Sequence, residues 1–564
     1  MMRRRLQVAL LALTIVLVGV VTYLPVLRNG FTNLDDPQLL VDNPDIRSLS
    51  PAGVQKLFKS SYGGLGGYTP LVLVSYALEY RLFGLDAGAF HATNLVLHIL
   101  NSLLVFWLVS LVAGGTGIGF VTALIFAVHP LHVEPVAWIQ GRKDLLFSFF
   151  YLSALISYWT FLRKGRRPLL YGLSVLLFAF ALFSKLAAIS FPLVVWLLEW
   201  RFAKRIDRRA ILRSLPLWAM SVAFLVLAFA THAPFFGQTP PPPPGYWKSL
   251  GTFFYSFVFY VGKVFAPFRL FPGYADVAAR HPWQAGLSLA LFAALCLLTY
   301  LAHKRKPDDV TFAACFFVFT LLPTLPFHFF GQPYEDRYMY LPLIGIVLIL
   351  AGFLPAAATG RRPWAAKRLM VGLPVAVLVA LLGVRSFGQT QVWRDGLSLW
   401  NHVVASDPTN PIGYVNRADA FKSRGQYAEA MADYDRAERL LPANAGIAQN
   451  KAGVYFKLGE PDKALAELNR ALDLDPLFYD AYISRGLFWG YGKQWGNAVQ
   501  DFSAALKLNK TYQALYYRAL AYGELEEFTK ALEDLRAAYE IEPTEQARAL
   551  IQKFTAADGR RKAL

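Results

Sequence analysis

Up to about residue 388 the chain alternates between long apolar runs and short basic clusters. The runs lie near 6–27, 91–112, 118–136, 145–162, 169–184, 187–203, 214–231, 285–302, 310–327, 339–355 and 369–388. Their lengths approach or reach what a helix needs to cross roughly 30 Å of hydrocarbon. This pattern predicts a polytopic domain of about eleven transmembrane helices. The first run follows Met1-Met2-Arg3-Arg4-Arg5 and no small-residue cleavage site comes after it, so it reads as an uncleaved span. From 411 to 545 the pattern changes to a period near 34. Ala418, Phe421, Gly425, Tyr427, Ala430, Tyr434, Ala437 and Pro442 recur as Ala452, Tyr455, Gly459, Ala464, Leu468, Ala471 and Pro476. Gly486, Trp495, Ala498, Phe502 and Ala505 follow, then Ala519, Tyr522, Phe528, Ala531, Leu535, Ala538 and Pro543. Small residues let paired helices approach closely, and the prolines end each second helix. This is the tetratricopeptide-repeat pattern.

The expected organisation is therefore all-α. A membrane domain occupies 1–388, and a connecting degenerate repeat occupies 389–410. Four repeats follow at 411–444, 445–478, 479–511 and 512–545, stacked as an α-solenoid, and 546–564 forms a capping helix and tail.

Composition decides where such a chain can live. Hydrophobic residues make up 55% and charged residues 17%, against about a quarter charged in a soluble protein, which excludes a fully soluble or a disordered chain. The net charge of +18 is not a nucleic-acid footprint, because residues 1–390 carry 34 Lys and Arg against 15 Asp and Glu, while 391–564 carry 22 against 23. The excess sits in clusters between apolar runs, at Arg3–Arg5, Arg163–Arg167, Lys204–Arg213, Lys304–Lys306 and Arg361–Arg368. Such clusters mark cytoplasmic loops. Eleven spans put all five inside and the C-terminal repeats outside. A further full span at 251–267 would break that agreement, so this stretch is read as interfacial or re-entrant. The Pro240–Pro244 run reads as a stiff polyproline II spacer without functional weight. Cys296 and Cys315 both fall in apolar runs and imply neither a disulfide framework nor a cysteine metal site.

Polar residues then cluster at the predicted outer face. Asp35 and Asp36 stand in Phe31-Thr-Asn-Leu-Asp-Asp-Pro37, where a tight turn and a catalytic base are both open readings. His129, His132 and Glu134 lie within six residues and are followed by Arg142, Lys143 and Asp144. His129, His132, Glu134 and Asp144 could hold a divalent metal or bind an acceptor, and a solvated interfacial loop is the alternative. Ser184-Lys185 and Glu335-Asp336-Arg337-Tyr338 add two cations at span ends. Lys185, Arg337 and Arg142 are candidates for binding a phosphate, which the planar arginine fork matches well. In the repeats, Asn416, Arg417, Arg485 and Arg518 fall on first helices and could line a peptide groove, or simply form a solvated polar face.

Several stretches together resemble one family. They are Leu34-Asp-Asp-Pro37, Tyr68-Thr-Pro70 with Leu73-Val-Ser-Tyr76, Phe90-His91-Ala-Thr-Asn94 with His98, His129–Trp138, Gly141-Arg-Lys-Asp-Leu145, Ser184-Lys185 and Glu335–Pro342. The chain resembles the transmembrane-and-tetratricopeptide-repeat O-mannosyltransferases over most of 25–345, with the repeats in the expected order. The resemblance implies a polytopic GT-C glycosyltransferase that takes sugar from a polyprenyl-phosphate donor on the non-cytoplasmic side. By the same resemblance Asp35 is carried over as the base, with Asp36 as its alternative, and Glu134 as a second acid. Lys185 and Arg337 would then neutralise the leaving phosphate. Lys143 stands where the family's Gly-Arg-Ala-Asp motif has a small residue, which leaves the roles of Arg142 and Asp144 open. Only four repeats and compact loops point to a bacterial relative, in the inner membrane with repeats in the periplasm; a eukaryotic one would sit in the endoplasmic reticulum membrane with luminal repeats. The implied partners are the lipid-linked sugar, a protein or peptide acceptor and membrane lipid, with no nucleic acid. Transfer to a lipid or polysaccharide, and a non-catalytic scaffold displaying repeats, are the competing functions. A transporter fits less well, since the charges sit at span ends rather than at the midplane.

Overall fold

The computed structural model describes residues 2–59, 67–232, 246–274, 282–324, 334–354 and 365–563. Pro240–Pro244 and the first part of the Arg361–Arg368 cluster lie outside the described residues. Among the described residues, regular structure is entirely helical. The chain divides into two compact units, Met1–Ser406 and Asp407–Leu564.

In the first unit the helices are α1 (Met2–Tyr23), α2 (Pro51–Lys59), α3 (Pro70–Phe83), α4 (Ala87–Val112), α5 (Thr116–Val128), α6 (Val133–Ala137), α7 (Arg142–Arg163) and α8 (Pro168–Ser184). They continue as α9 (Phe191–Ala203), α10 (Arg208–His232), α11 (Tyr246–Phe265), α12 (Pro282–Arg305), α13 (Pro307–Leu321), α14 (Leu343–Gly352), α15 (Ala365–Thr390) and α16 (Gly396–Ser406). Among the described residues seven helices are long and apolar enough to cross a membrane, and the bent pair Thr116–Val128 with Pro130–Ala137 would make eight. Pro168–Ser184, Phe253–Phe265 and Leu343–Gly352 are apolar but shorter. Seven of the eleven expected runs thus lie on full-length helices. The run 310–327 falls on the shorter α13 and its 3₁₀ extension to Thr324. On α1 the exposed residues Leu6, Leu10, Leu13, Leu17 and Val21 recur every three or four positions, and Leu373, Val377, Leu381 and Val384 do so on α15. Stripes of this kind share one helix face and need hydrocarbon around them. The first unit is that of an integral membrane protein.

The expected span 118–136 is corrected. It breaks at His129-Pro130 with a bend of 57°. The residue before a proline is driven out of the α region, and His129 sits at φ −69, ψ 132. A second proline, Pro135, and the short α6 keep the segment compact before α7 starts. Breaking a helix at membrane depth frees carbonyls that must find partners inside the protein. A polar stripe on α4, spaced three and four apart, meets several of them: His98 Nε2 lies 3.1 Å from Ala127 O, and the Asn94 side chain donates to Trp138 O at 3.0 Å. Asn101 donates to Leu145 O at 2.9 Å, Tyr76 to Ile139 O at 2.9 Å and Ser386 to Val128 O at 2.6 Å. Gly141 closes the segment, since a Cβ there would lie 2.3 Å from Pro135 O. The broken loop 129–141 is therefore held firmly from three sides.

The second unit holds α17 (Pro411–Ser423), α18 (Tyr427–Leu440), α19 (Ala445–Lys457), α20 (Pro461–Leu474), α21 (Tyr479–Tyr491), α22 (Trp495–Leu508), α23 (Tyr512–Glu524), α24 (Phe528–Ile541) and α25 (Glu545–Ala563). Buried Ala418, Ala452 and Ala519 on first helices and Ala437, Ala471, Ala505 and Ala538 on second helices provide the close contacts. The turn inside each helix pair needs one left-handed residue. Gly425 and Gly459 fill it at φ 75 and 76, while Lys493 and Glu526 do so at φ 58 and 56.

Candidate functional site

The site is assembled around the broken segment from four parts of the chain. The first is the loop after α1. Asp36 is buried, and its Oδ2 accepts from Thr32 N at 2.7 Å and from Thr32 Oγ1 at 2.9 Å. It thereby staples the loop closed just before the short Pro37–Val41 helix. Asp35 is half-buried, and among the described residues its carboxylate accepts no hydrogen bond. Burial raises both acids. It lifts Asp35 above the usual carboxylate range, with the Lys143 and Arg337 charges opposing. It lifts Asp36 to about 7 against the Thr32 hydrogen bonds, with the Asp35 charge adding to the rise.

The second and third parts are the broken segment and the residues 334–342. Glu134 is buried and takes the Arg337 guanidinium at 2.5 Å, while its second oxygen accepts from Arg337 N at 3.2 Å. Glu335 lies 3.1 Å from the same guanidinium nitrogen, Nη1, that Glu134 takes. Arg337 lies over the Trp138 ring at 5.0 Å and the Tyr338 ring at 5.6 Å. Burial works against its charge, but Glu335 and Glu134 outweigh this and hold it well above its ordinary range. Asp336 turns away to Tyr274, whose hydroxyl donates at 2.8 Å. Burial and the Glu134 charge push Asp336 up to about 8. The fourth part is the α8–α9 junction, where Lys185 pairs with Asp144 and lies over the Tyr338 ring at 5.3 Å. Lys143, one turn-start neighbour of Asp144 at the head of α7, lies over the other ring, Trp138, at 5.5 Å.

The structure thus brings Asp35, Asp36, Glu134, Lys185, Arg337 and Asp144 into one connected region. It does not assemble the expected metal set. Glu134 is taken by Arg337 and Asp144 by Lys185, while both His129 ring nitrogens meet backbone, at Val264 O and Leu131 N. His132 binds Phe126 O at 2.7 Å. Among the described residues no three His, Cys, Asp or Glu converge as metal ligands. Arg142 is also elsewhere: fully buried, it binds Glu79 at 2.8 and 3.2 Å, Asn94 at 2.5 Å and Phe90 O at 2.9 Å. Its fork is spent on holding α3, α4 and α7 together.

The repeat arginines have partners as well. Arg417, Arg485 and Arg518 each grip an aspartate 16 residues on, at Asp433, Asp501 and Asp534, through two hydrogen bonds of 2.7 to 2.9 Å. Lys451 takes the same place in the second repeat, 3.7 Å from Glu467. These pairs tie the first helix to the second in each repeat, so the arginines are not free recognition groups. Asn416 is bonded along its own helix to Ile412 O at 2.9 Å. Trp138, Glu79, Lys143 and Tyr338 are the site-forming residues that sequence reasoning left without a role. Glu79 carried a signal, as a lone acid in an otherwise apolar stretch of 70–79.

Tetratricopeptide-repeat profiles match residues 381–445, 422–484 and 512–545. The chain is 26% identical over 483 residues to the human protein O-mannosyl-transferase TMTC1, covering 74% of this chain and 53% of that protein. It is 32% identical over 152 residues to human TMTC3, covering 25% of this chain and 16% of that one. Caenorhabditis elegans protein O-mannosyl-transferase F38B6.6 is 21% identical over 76% of this chain and 63% of its own length. The chain spans little more than half the length of the curated relatives TMTC1 from human and mouse, 53% and 58%. Among solved structures, the tetratricopeptide-repeat protein YrrB is 21% identical over 34% of this chain and 92% of its own, with a TM-score of 0.24.

Proposed function

We propose that this chain, a relative of the TMTC O-mannosyltransferases, is a membrane protein O-glycosyltransferase. It moves mannose or another hexose from a polyprenyl-phosphate donor to Ser or Thr hydroxyls of exported proteins, and the repeats present the acceptor. The observation that carries the reading is Asp35. Its carboxylate is uncapped, half-buried and within electrostatic reach of Arg337, while its neighbour Asp36 is consumed by the loop staple. An uncapped carboxylate raised above its ordinary range is a competent base.

In the proposed reaction Asp35 takes the proton of the acceptor hydroxyl as its oxygen bonds to the anomeric carbon. The bond from that carbon to the phosphate oxygen breaks, and the phosphate leaves with both electrons. Arg337 and Lys185 neutralise the charge that develops there. Both cations are already held by carboxylates, so a phosphate would share them with Glu134 and Asp144. This keeps the leaving group from being bound too tightly to depart. Arg142 acts as a positioning residue beneath Asp144. By the charge pattern the active face and the repeats lie outside the cytoplasm, in the periplasm of a bacterial cell.

Glycoproteomics of exported proteins in cells with and without the gene tests the reading. Loss of a hexose on Ser or Thr in the deletion supports it. A change confined to lipid or surface polysaccharide would overturn the protein-acceptor assignment. A cytoplasm-specific reporter fused after Leu564 should be silent, and deletion of 411–564 should impair acceptor selection while donor hydrolysis persists.

A further inference from the structure

The loop that carries Asp35 is tied to one distant stretch of chain. The Asn29 side chain donates to Thr390 O at 3.2 Å, and Gly30 N donates to Arg394 O at 2.8 Å. The Trp400 ring nitrogen donates to Asn33 Oδ1 at 2.8 Å. All three bonds reach residues 390–400, at the end of α15 and on α16, across more than 360 residues of sequence. The fit around Asn33 is close, since a Cβ on Gly396 would run into its amide. The same stretch backs the facing wall of the site. Trp393 stacks on Trp138 with ring centres 6.0 Å apart and 27° between the planes, and Trp138 is the ring under Arg337 and Lys143. Trp393 and Trp400 are both buried in the core of the first unit. A buried tryptophan is costly unless its N–H finds a partner, and Trp400 finds its partner in this loop.

We infer that Trp400 is a positioning residue for the base Asp35, acting through Asn33, with Trp393 holding the facing wall in register. The inference rests on the reading of Asp35 as the base and deepens it. The Asp35 carboxylate accepts no hydrogen bond among the described residues, so its place is set by its neighbours in the chain. On one side Asp36 is bonded to Thr32. Both belong to the loop, so that bond fixes the loop's shape and not its position. On the other side Asn33 is held from outside the loop, two residues and at most about 7 Å of chain before the base. Between them Leu34 packs on the core that contains both tryptophans. A shift of about 1 Å at a reacting group costs roughly a hundredfold in rate, so an anchor this near the base controls turnover. Only Asp407–Asn410 separate α16 from α17. The chain that leads into the repeats is therefore the chain that holds the base loop.

The test is transfer of mannose from a polyprenyl-phosphate donor to an acceptor peptide by the full chain in nanodiscs, followed against pH. Trp400→Phe keeps a buried ring and removes the donor. It should lower kcat roughly ten- to a hundredfold, with KM for the peptide within a few-fold of wild type. Burial holds Asp35 above the ordinary carboxylate range against the Lys143 and Arg337 charges, with Asp36 and the Tyr76 hydroxyl facing it. A loosened loop is wetter, so the acid limb of the kcat profile should move to lower pH. Asn33→Leu removes the acceptor and should give the same loss, and the double variant should be no slower than the slower single one. Val403→Ala trims a buried side chain on the same helix. It should lower the melting temperature and leave kcat and the limb in place. Unchanged kcat and limb in Trp400→Phe, or an equal change in Val403→Ala, overturns the inference and leaves the proposed function standing. Additive losses in the double variant also overturn it, since the two residues then act separately. No transfer by wild type would overturn the proposed function and this inference with it.

Discussion

Two adjacent carboxylates invite one decisive comparison. Asp35→Asn removes the charge and nearly all the basicity of the proposed base without changing its shape. General-base assistance is worth about 10²–10⁴ in rate, or roughly 3–5 kcal/mol of barrier. Asp35 accepts no hydrogen bond among the described residues, so the substitution breaks nothing in the fold, and the full loss should appear in kcat with protein level unchanged. Asp36→Asn is different in kind. The amide oxygen can still accept from Thr32 N and Oγ1, the two bonds of 2.7 and 2.9 Å, and the cost of ionising a carboxylate that burial lifts to about 7 disappears. Its expected effect on folding is small or slightly favourable, and its effect on rate less than about tenfold. Asp36→Ala strands both Thr32 donors, each worth about 1–3 kcal/mol when buried and unpaired, so loop order and activity should fall together. The assay is transfer of radiolabelled mannose from a polyprenyl-phosphate donor to an acceptor peptide by purified enzyme in nanodiscs, beside thermal melting of each variant. Near-normal turnover by Asp35→Asn with a hundredfold loss in a well-folded Asp36→Asn would refute the assignment and make Asp36 the base.

The same acid gives a pH prediction. Asp35 acts ionised and its pKa is raised, so the rate should fall as pH drops through a limb lying above the ordinary carboxylate value of about 4. Lys143 and Arg337 pull that limb down and the neighbouring Asp36 faces it, so Lys143→Met should shift the limb to higher pH in a kcat/KM profile. Glu79→Gln leaves the buried Arg142 guanidinium without its counter-charge, at a cost of about 3–5 kcal/mol, and should lower the melting temperature or the yield of monodisperse protein. Lys493→Gly relieves a left-handed residue at φ 58 and should stabilise the repeats by up to about 1 kcal/mol, read by amide exchange in α21 and α22.

Local signals carried most of the helices and all four repeats into view. Apolar length marks α1, α4, α7, α12 and α15 without reference to anything distant, and the 34-residue recurrence of Ala and aromatic residues marks the solenoid. The break at His129-Pro130 was present as a proline in the run, but a single proline is also compatible with a kinked continuous span, and only the polar stripe on α4 shows which holds. The charge pairings were not legible. Arg337 meets Glu134 across 203 residues, Arg142 meets Glu79 across 63 and Lys185 meets Asp144 across 41. No local period encodes such distances. The repeat arginines are the opposite case. Asp433, Asp501 and Asp534 stand 16 residues after Arg417, Arg485 and Arg518 in every instance, so the pairing was written in the sequence. Arginine on a groove-lining helix is equally the residue type a peptide groove would use, so residue type alone does not separate the two roles; the in-phase acid does.

Gly141 bears on how this chain could be altered. Because any larger residue there would strike the Pro135 backbone, the stretch carrying Glu134, Trp138 and Lys143 is an immovable jaw with little tolerance for variation. The opposite jaw, the Thr32–Val41 loop, is closed on itself by the Asp36 carboxylate and held to its surroundings by the buried Leu40 and by Trp400, whose ring nitrogen donates to Asn33 at 2.8 Å. A library aimed at a new donor sugar would accordingly be spent on residues 33–41 around the retained Asn33, Leu40 and acids, with 129–141 left alone, and natural divergence in sugar preference should be concentrated on the same side.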